Sequence, residues 1–204
     1  MNFNPNNLEC QIKTLKEMNN KFELVGDILE FGTCTCQSAI ELATLFPDKT
    51  IFTIDHFKGL ERSDKALPTT SDWREGSFGL GAWNALSPEF PRNIDEALQK
   101  LSTKPNIKPI IEDIHKLDVP SSYGINEIAI CNIDVDIYEP TVSALKFLNW
   151  CDWDQVFIRF DDWHGGEKEY EEHEQMAFKE WIEEHNHKYK IIQGGLYGGA
   201  IVTR

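Results

Sequence analysis

Leu8, Ile12, Leu15 and Met18 recur at helical spacing, and the next apolar run, "GDILEFG", is short, unbroken and closed by glycine. The first pattern predicts a helix and the second a buried strand. After the turn "GTCTCQ", the segment "SAIELATLF" returns to the helical period. "KTIFTID" then gives a second strand ending on Asp55, about twenty residues past the first glycine turn, which completes one βαβ unit. "NIDEALQKL" predicts a helix, "NIKPIIED" a strand interrupted by Pro109, "NEIAICNID" a buried strand, "TVSALKFLNW" a helix and "DQVFIRF" a fifth strand. "KEYEEHEQMAFKEWIEEH" predicts one long acidic helix with Met176, Phe178, Trp181 and Ile182 on its apolar side. "YKIIQ" and "GGAIVTR", separated by a glycine-rich turn, predict a terminal hairpin.

Strands alternating with helices imply an α/β fold: a doubly wound, mostly parallel, Rossmann-like sheet of seven strands with a C-terminal antiparallel hairpin. A length of 204 residues fits a single domain over 1–204. Residues 56–92 lack a sustained period and are richer in Gly, Pro, Ser and Trp, which reads as an active-site lid or binding loop. In such sheets ligands bind at the carboxyl ends of the strands, and every polar cluster falls there: Glu30 to Gly32, Asp55, Glu112 with Asp113, Asp134 with Asp136, and Asp161 with Asp162.

The turn after the first strand lets a ligand approach the backbone at Gly32, and the helix behind it offers free N–H groups to a carboxylate or phosphate. Two further glycines of the dinucleotide fingerprint are missing, so a cofactor with a smaller anionic group fits better than a pyrophosphate. Asp55 has the position and chemistry to accept both hydroxyls of a ribose. Four aspartates at two neighbouring strand ends would repel one another without a cation, and an oxygen-only donor set suits a hard divalent ion, Mg²⁺ before Ca²⁺ or Mn²⁺. Asp136 is the candidate general base, with His56 and His164 as substitutes. Trp73, Trp83 and Trp163 are candidates for stacking on a ring.

A net charge of −14 disfavours nucleic acid as a partner and makes a small molecule the default. The five cysteines are odd in number and mostly lie in apolar segments, so Cys34 and Cys36 read as small buried residues in a turn. No apolar run is long enough for a membrane span and the first ten residues lack signal-peptide character, which together give a cytoplasmic reading with no membrane partner. A homo-oligomer is compatible with the sequence.

"ILEFG" with Ser38 six residues after Gly32, "IDHFKGL", "NIDVDIYEPTVSALKFL" and "FDDWHGG" together resemble class I S-adenosylmethionine-dependent O-methyltransferases, and within them the macrocin O-methyltransferase family, which methylates sugar hydroxyls. The resemblance spans roughly residues 28–166. It implies S-adenosyl-L-methionine and Mg²⁺ as cofactors and a small-molecule hydroxyl acceptor. It further implies Asp134, Asp161 and Asp162 as metal ligands and Asp136 as the base. Glu30, Gly32 and Thr33 fall in the cofactor turn, Ser38 is a hydroxyl for the methionine carboxylate, Asp55 is the ribose acid, and Asp113 belongs to the same cofactor rim. Cys36 and Gln37 depart from the family pattern, and the turn that usually precedes "DD" is missing. A catechol-type enzyme, a non-catalytic adenosylmethionine-binding module and a metal-dependent hydrolase are the alternative readings.

Overall fold

Six consecutive buried residues, Ile128–Ile133, form the central strand β4, as expected for a parallel strand covered on both faces. The structure, a computed structural model, describes residues 8–69, 71, 73–80, 90–193 and 197–204, with side chains from Lys13 onward. Around β4 the chain runs α1 (Leu8–Phe22), β1 (Asp27–Phe31), α2 (Gln37–Leu45), β2 (Ile51–Ile54), α3 (Ile94–Leu101) and β3 (Ile107–Ile110), then after β4 continues through α4 (Tyr138–Trp150), β5 (Gln155–Phe160), α5 (Glu174–His185), β6 (Lys188–Gln193) and β7 (Gly198–Thr203).

The sheet order is β3-β2-β1-β4-β5-β7-β6. The first five strands pair in parallel, and β7 pairs antiparallel with both β5 and β6, so the terminal hairpin places its last strand inside and its first at the edge. Pro109 sits within β3, which its edge position permits because one side of the strand needs no ladder donor. Alternation divides the core. Leu29, Phe31, Ile133, Ile158 and Phe160 pack with α4 and α5 on one face, and Ile28, Ile51, Ile130 and Phe157 pack with α1, α2 and α3 on the other.

Two helices differ from the expected spans. α4 starts a turn earlier than "TVSALKFLNW", at Tyr138, with Pro140 tolerated because a first-turn N–H needs no intrahelical partner. The long acidic helix is broken into a 3₁₀ turn at Lys168–Tyr170 and α5 from Glu174. The break falls at His173, whose backbone leaves the helical region at φ −108° and ψ −117°; Tyr170 stacks on His164 at 3.7 Å and the His173 ring meets the Ala66 carbonyl at 3.2 Å. The expected turn between β6 and β7 and the side chains of Leu8 and Ile12 lie outside the described residues. Among the described residues no helix is long and apolar enough to cross a membrane.

Candidate active site

Strand order reverses direction between β1 and β4, and the two chains leaving these strands meet there. Gly32 stands at φ 82°, and a Cβ on it would fall 1.6 Å from the Asp134 carbonyl oxygen, so only glycine lets the turn after β1 press against the end of β4. Cys34 and Cys36 also hold positive φ, 36° and 65°, in a turn where glycine is the residue of least strain. Cys36, at the N-cap of α2, is fully buried as expected, whereas Cys34 is only partly buried; neither forms a disulfide. Asp55 fixes this turn. Its Oδ2 accepts from the Thr33 and Cys34 N–H groups, both at 2.8 Å, and its Oδ1 accepts from Phe57 N–H at 2.6 Å.

Beneath the turn a polar row crosses three strands, because Glu30, Asn132 and Arg159 are register partners. Asn132 donates to Glu30 Oε1 at 3.3 Å, Arg159 donates to Asn132 Oδ1 at 2.6 Å, and its other terminal nitrogen donates to Asp161. Burial raises the Glu30 pKa to about 7, against opposing contributions from Ser38, Asn132 and Arg159. Glu30 Oε2 and Thr33 Oγ1 are buried with no hydrogen-bond partner.

On the other side of the turn, Asp134, Asp136 and Asp162 present carboxylate oxygens that all lie within 4.8 Å of one another. Strand alternation does not produce this convergence, since β4 has already ended at Ile133. A three-residue turn closed by Ile137 N–H to the Val135 carbonyl at 2.7 Å puts Asp136 at φ 62°, a strained conformation of the kind that persists at functional sites. Burial, then the neighbouring aspartate charges, holds Asp134 and Asp136 well above the ordinary carboxylate range, and a side-chain hydrogen bond with Asp162 adds to the rise at Asp136. The Trp73 side chain acts the other way, as a hydrogen-bond donor to Asp136. Asp161 sits at the rim but is held by Arg159, which is only 4% exposed.

The sequence did not single out two members of this site. Glu174 is completely buried and accepts the Asp162 N–H at 3.0 Å, adding a fifth carboxylate whose pKa burial raises strongly. Its signal was position: Glu174, Ala177, Phe178, Trp181 and Ile182 share the buried stripe of α5, where an acid is out of place. Arg159 was equally visible as a charge within an apolar strand run.

A cleft of about 380 Å³ joins these parts. Of the expected cofactor residues, Gly32, Asp55 and Asp113 line it together with Cys34 and Thr35, whereas Glu30, Thr33 and Ser38 are not in its lining. Asp134, Asp136, Asp161 and Asp162 line it, as do His56 and Trp73. His164 is stacked on Tyr170 with Nε2 at 3.4 Å from Asp162, outside the lining, and Trp163 packs in the core against Phe160 and Phe178. Trp83 lies outside the described residues. Of the expected lid, the described residues 56–69, 71 and 73–80 include two arms tied by Leu60 N–H to Ser77 O and Leu80 N–H to Phe57 O. Glu139 accepts from Ser63 Oγ and Asp64 N–H, Glu169 from Thr69, and Glu61 meets His115 at 2.8 Å, which fastens the loop across the cleft.

The arrangement defines a Rossmann-like fold with a glycine turn at one end of a cleft and a carboxylate cluster at the other. No family model and no curated protein matches the sequence. Solved structures share the fold. CalS11, a calicheamicin methyltransferase also described as a TDP-rhamnose 3′-O-methyltransferase, is 18% identical with a TM-score of 0.67, over 96% of this chain and 77% of that one. The O-methyltransferase NovP is 18% identical with a TM-score of 0.60, over 97% and 78%. A putative caffeoyl-CoA O-methyltransferase from Staphylococcus aureus is 15% identical with a TM-score of 0.56, over 95% and 82%.

Proposed function

We propose that the chain is an S-adenosylmethionine-dependent O-methyltransferase, assisted by a divalent ion such as Mg²⁺, that methylates a hydroxyl of a sugar or related small molecule. The observation that carries this reading is the placement of the Asp55-braced turn and the Asp134, Asp136 and Asp162 cluster in one cleft. Similarity to folds of O-methyltransferases supports it. Both groups fit the residues present: oxygen donors brought together by burial suit a hard cation, and the turn offers backbone donors at the start of α2.

Bound S-adenosylmethionine supplies an electrophilic methyl group, and a bound divalent ion lowers the pKa of a hydroxyl that ligates it. The rest falls to this chain. Asp55 holds the turn and, lining the cleft, is the acid for the ribose hydroxyls, while Asp113 also lines it. Asp134 and Asp162 are the carboxylates that would hold the ion; Asp161, its Oδ1 held by Arg159, stands outside that converging group. Asp136 takes the proton of the acceptor hydroxyl at a carboxylate oxygen. Methyl transfer disperses charge, so alignment of nucleophile, methyl and sulfur is the main contribution of the protein, and the loop 56–80 excludes water from it.

Calorimetric titration with adenosylmethionine and with adenosylhomocysteine, with and without Mg²⁺, tests cofactor and ion together. Binding of both nucleosides is expected, with Mg²⁺ required for transfer to an acceptor. Failure of both to bind would refute the reading.

A further inference from the structure

Resting on that reading, we infer that the acceptor is electrically neutral or carries a cationic amino group, and bears neither phosphate nor carboxylate. Eight of the twenty-one residues lining the cleft carry carboxylates, and none of them is lysine or arginine. The residues outside the described set add no such cation either, because positions 1–7, 70, 72, 81–89 and 194–196 contain no Lys or Arg.

Two cations close by are engaged. Lys116 Nζ lies 2.7 Å from Asp113, and Arg159 is buried behind the wall on Asn132 and Asp161. The start of α4, which would otherwise attract an anion, carries Glu139 in its first turn. One divalent ion in the cluster still leaves the carboxylates in excess. An anionic acceptor would therefore enter a cleft of like charge with low-dielectric walls, where repulsion is focused rather than screened. Leu60, Trp73, Phe78, Val135 and Pro140 give the same cleft an apolar panel suited to the C–H face of a sugar ring. Glu112 is the lining carboxylate placed to receive an ammonium group by a charge-assisted hydrogen bond, while Glu61, shared with His115, adds to the negative wall.

The test is a matched series on one ring: a methyl glucoside, its 2-amino analogue, its uronic acid and glucose 6-phosphate. Binding is read by tryptophan fluorescence of the Mg²⁺-loaded full chain, and transfer by labelled adenosylmethionine. The amino sugar is expected to bind most tightly and the uronide and phosphate at least about tenfold more weakly than the neutral sugar, with added salt narrowing the gap. Glu61→Lys, at a half-exposed position, is expected to strengthen binding of the two anions. Equal or tighter binding of either anion by the native chain, an unchanged order in Glu61→Lys, or no binding of any member would overturn the inference. Absence of methyl transfer with the charge order intact would instead refute the proposed activity.

Discussion

Replacing Asp134 by asparagine should make the metal-free protein more stable, although it alters a half-buried residue at the centre of the site. The carboxylate oxygens of Asp134, Asp136 and Asp162 lie within 4.8 Å of one another, a spacing at which two ionised carboxylates repel by about 3.5 kcal/mol at an effective dielectric of 20. Protonation limits that cost and Arg159 offsets part of it, so a gain of about 1–3 kcal/mol is expected, worth about 2–4 °C per kcal/mol for a domain of this size. The sign depends on pH. A carboxyl whose folded pKa is raised contributes stability that is fully present below its unfolded value, about 3.9, and is lost as pH rises toward the folded value, so the advantage of the variant grows toward alkaline pH.

Thermal melts in chelator at acidic and mildly alkaline pH measure this, and a parallel series in Mg²⁺ measures the other half. The native chain should gain about 2.7 kcal/mol when the ion is at a hundred times its Kd, and Asp134→Asn should gain little. Asp161→Asn supplies the contrast: it leaves the buried Arg159 guanidinium without its carboxylate, so it should destabilise under every condition. A metal-free Asp134→Asn protein no more stable than the native chain at alkaline pH, or one that keeps the full response to Mg²⁺, would refute the reasoning.

Asp136→Asn keeps size but removes basicity, so turnover on an identified acceptor should fall on the order of 10²–10⁴-fold with adenosylhomocysteine affinity nearly unchanged; normal turnover would move the base elsewhere. Glu30→Gln removes a carboxylate whose pKa burial raises from 4.5 to about 7, so denaturant melts should show a gain of up to about 3 kcal/mol above neutrality that vanishes below about pH 4, and a flat difference across that range would contradict it. Cys34→Gly relieves a left-handed backbone at about the cost of added chain entropy and should be near neutral, whereas the β-branched Cys34→Val should lose about 1–2 kcal/mol; equal stabilities would show that φ 36° imposes no constraint.

Most of the fold was legible because period and punctuation agree along the chain. β1, β2, β4 and β5 are apolar runs ended by Gly or Asp, and each lies within the span read from the sequence. Where periodicity misled, tertiary burial had overridden it. Residues 168–185 carry enough helix-forming residues for one helix, but the buried His173 leaves the helical backbone where its ring meets the Ala66 carbonyl. The arrangement of the cluster was less legible. That two pairs of aspartates end neighbouring strands follows from sequence, yet which oxygens converge depends on the positive φ of Asp136, and local pattern does not report a backbone angle at a non-glycine residue.

Arg159 explains why adjacent aspartates differ. Asp161 is held by the buried Arg159 guanidinium, whereas the Asp162 carboxylate converges with those of Asp134 and Asp136. The same arginine holds Asn132, which holds Glu30 under the cofactor turn. A shift of β5 relative to β4 would therefore disturb Asp161 and the floor of the turn together, because one buried guanidinium spans both. Arg159→Lys keeps the charge but loses the planar fork that reaches both partners. It should therefore weaken adenosylhomocysteine binding and the Mg²⁺ response in the same variant. A calorimetric loss in one with the other intact would show that the row is structural filling rather than a link between the two ends of the cleft.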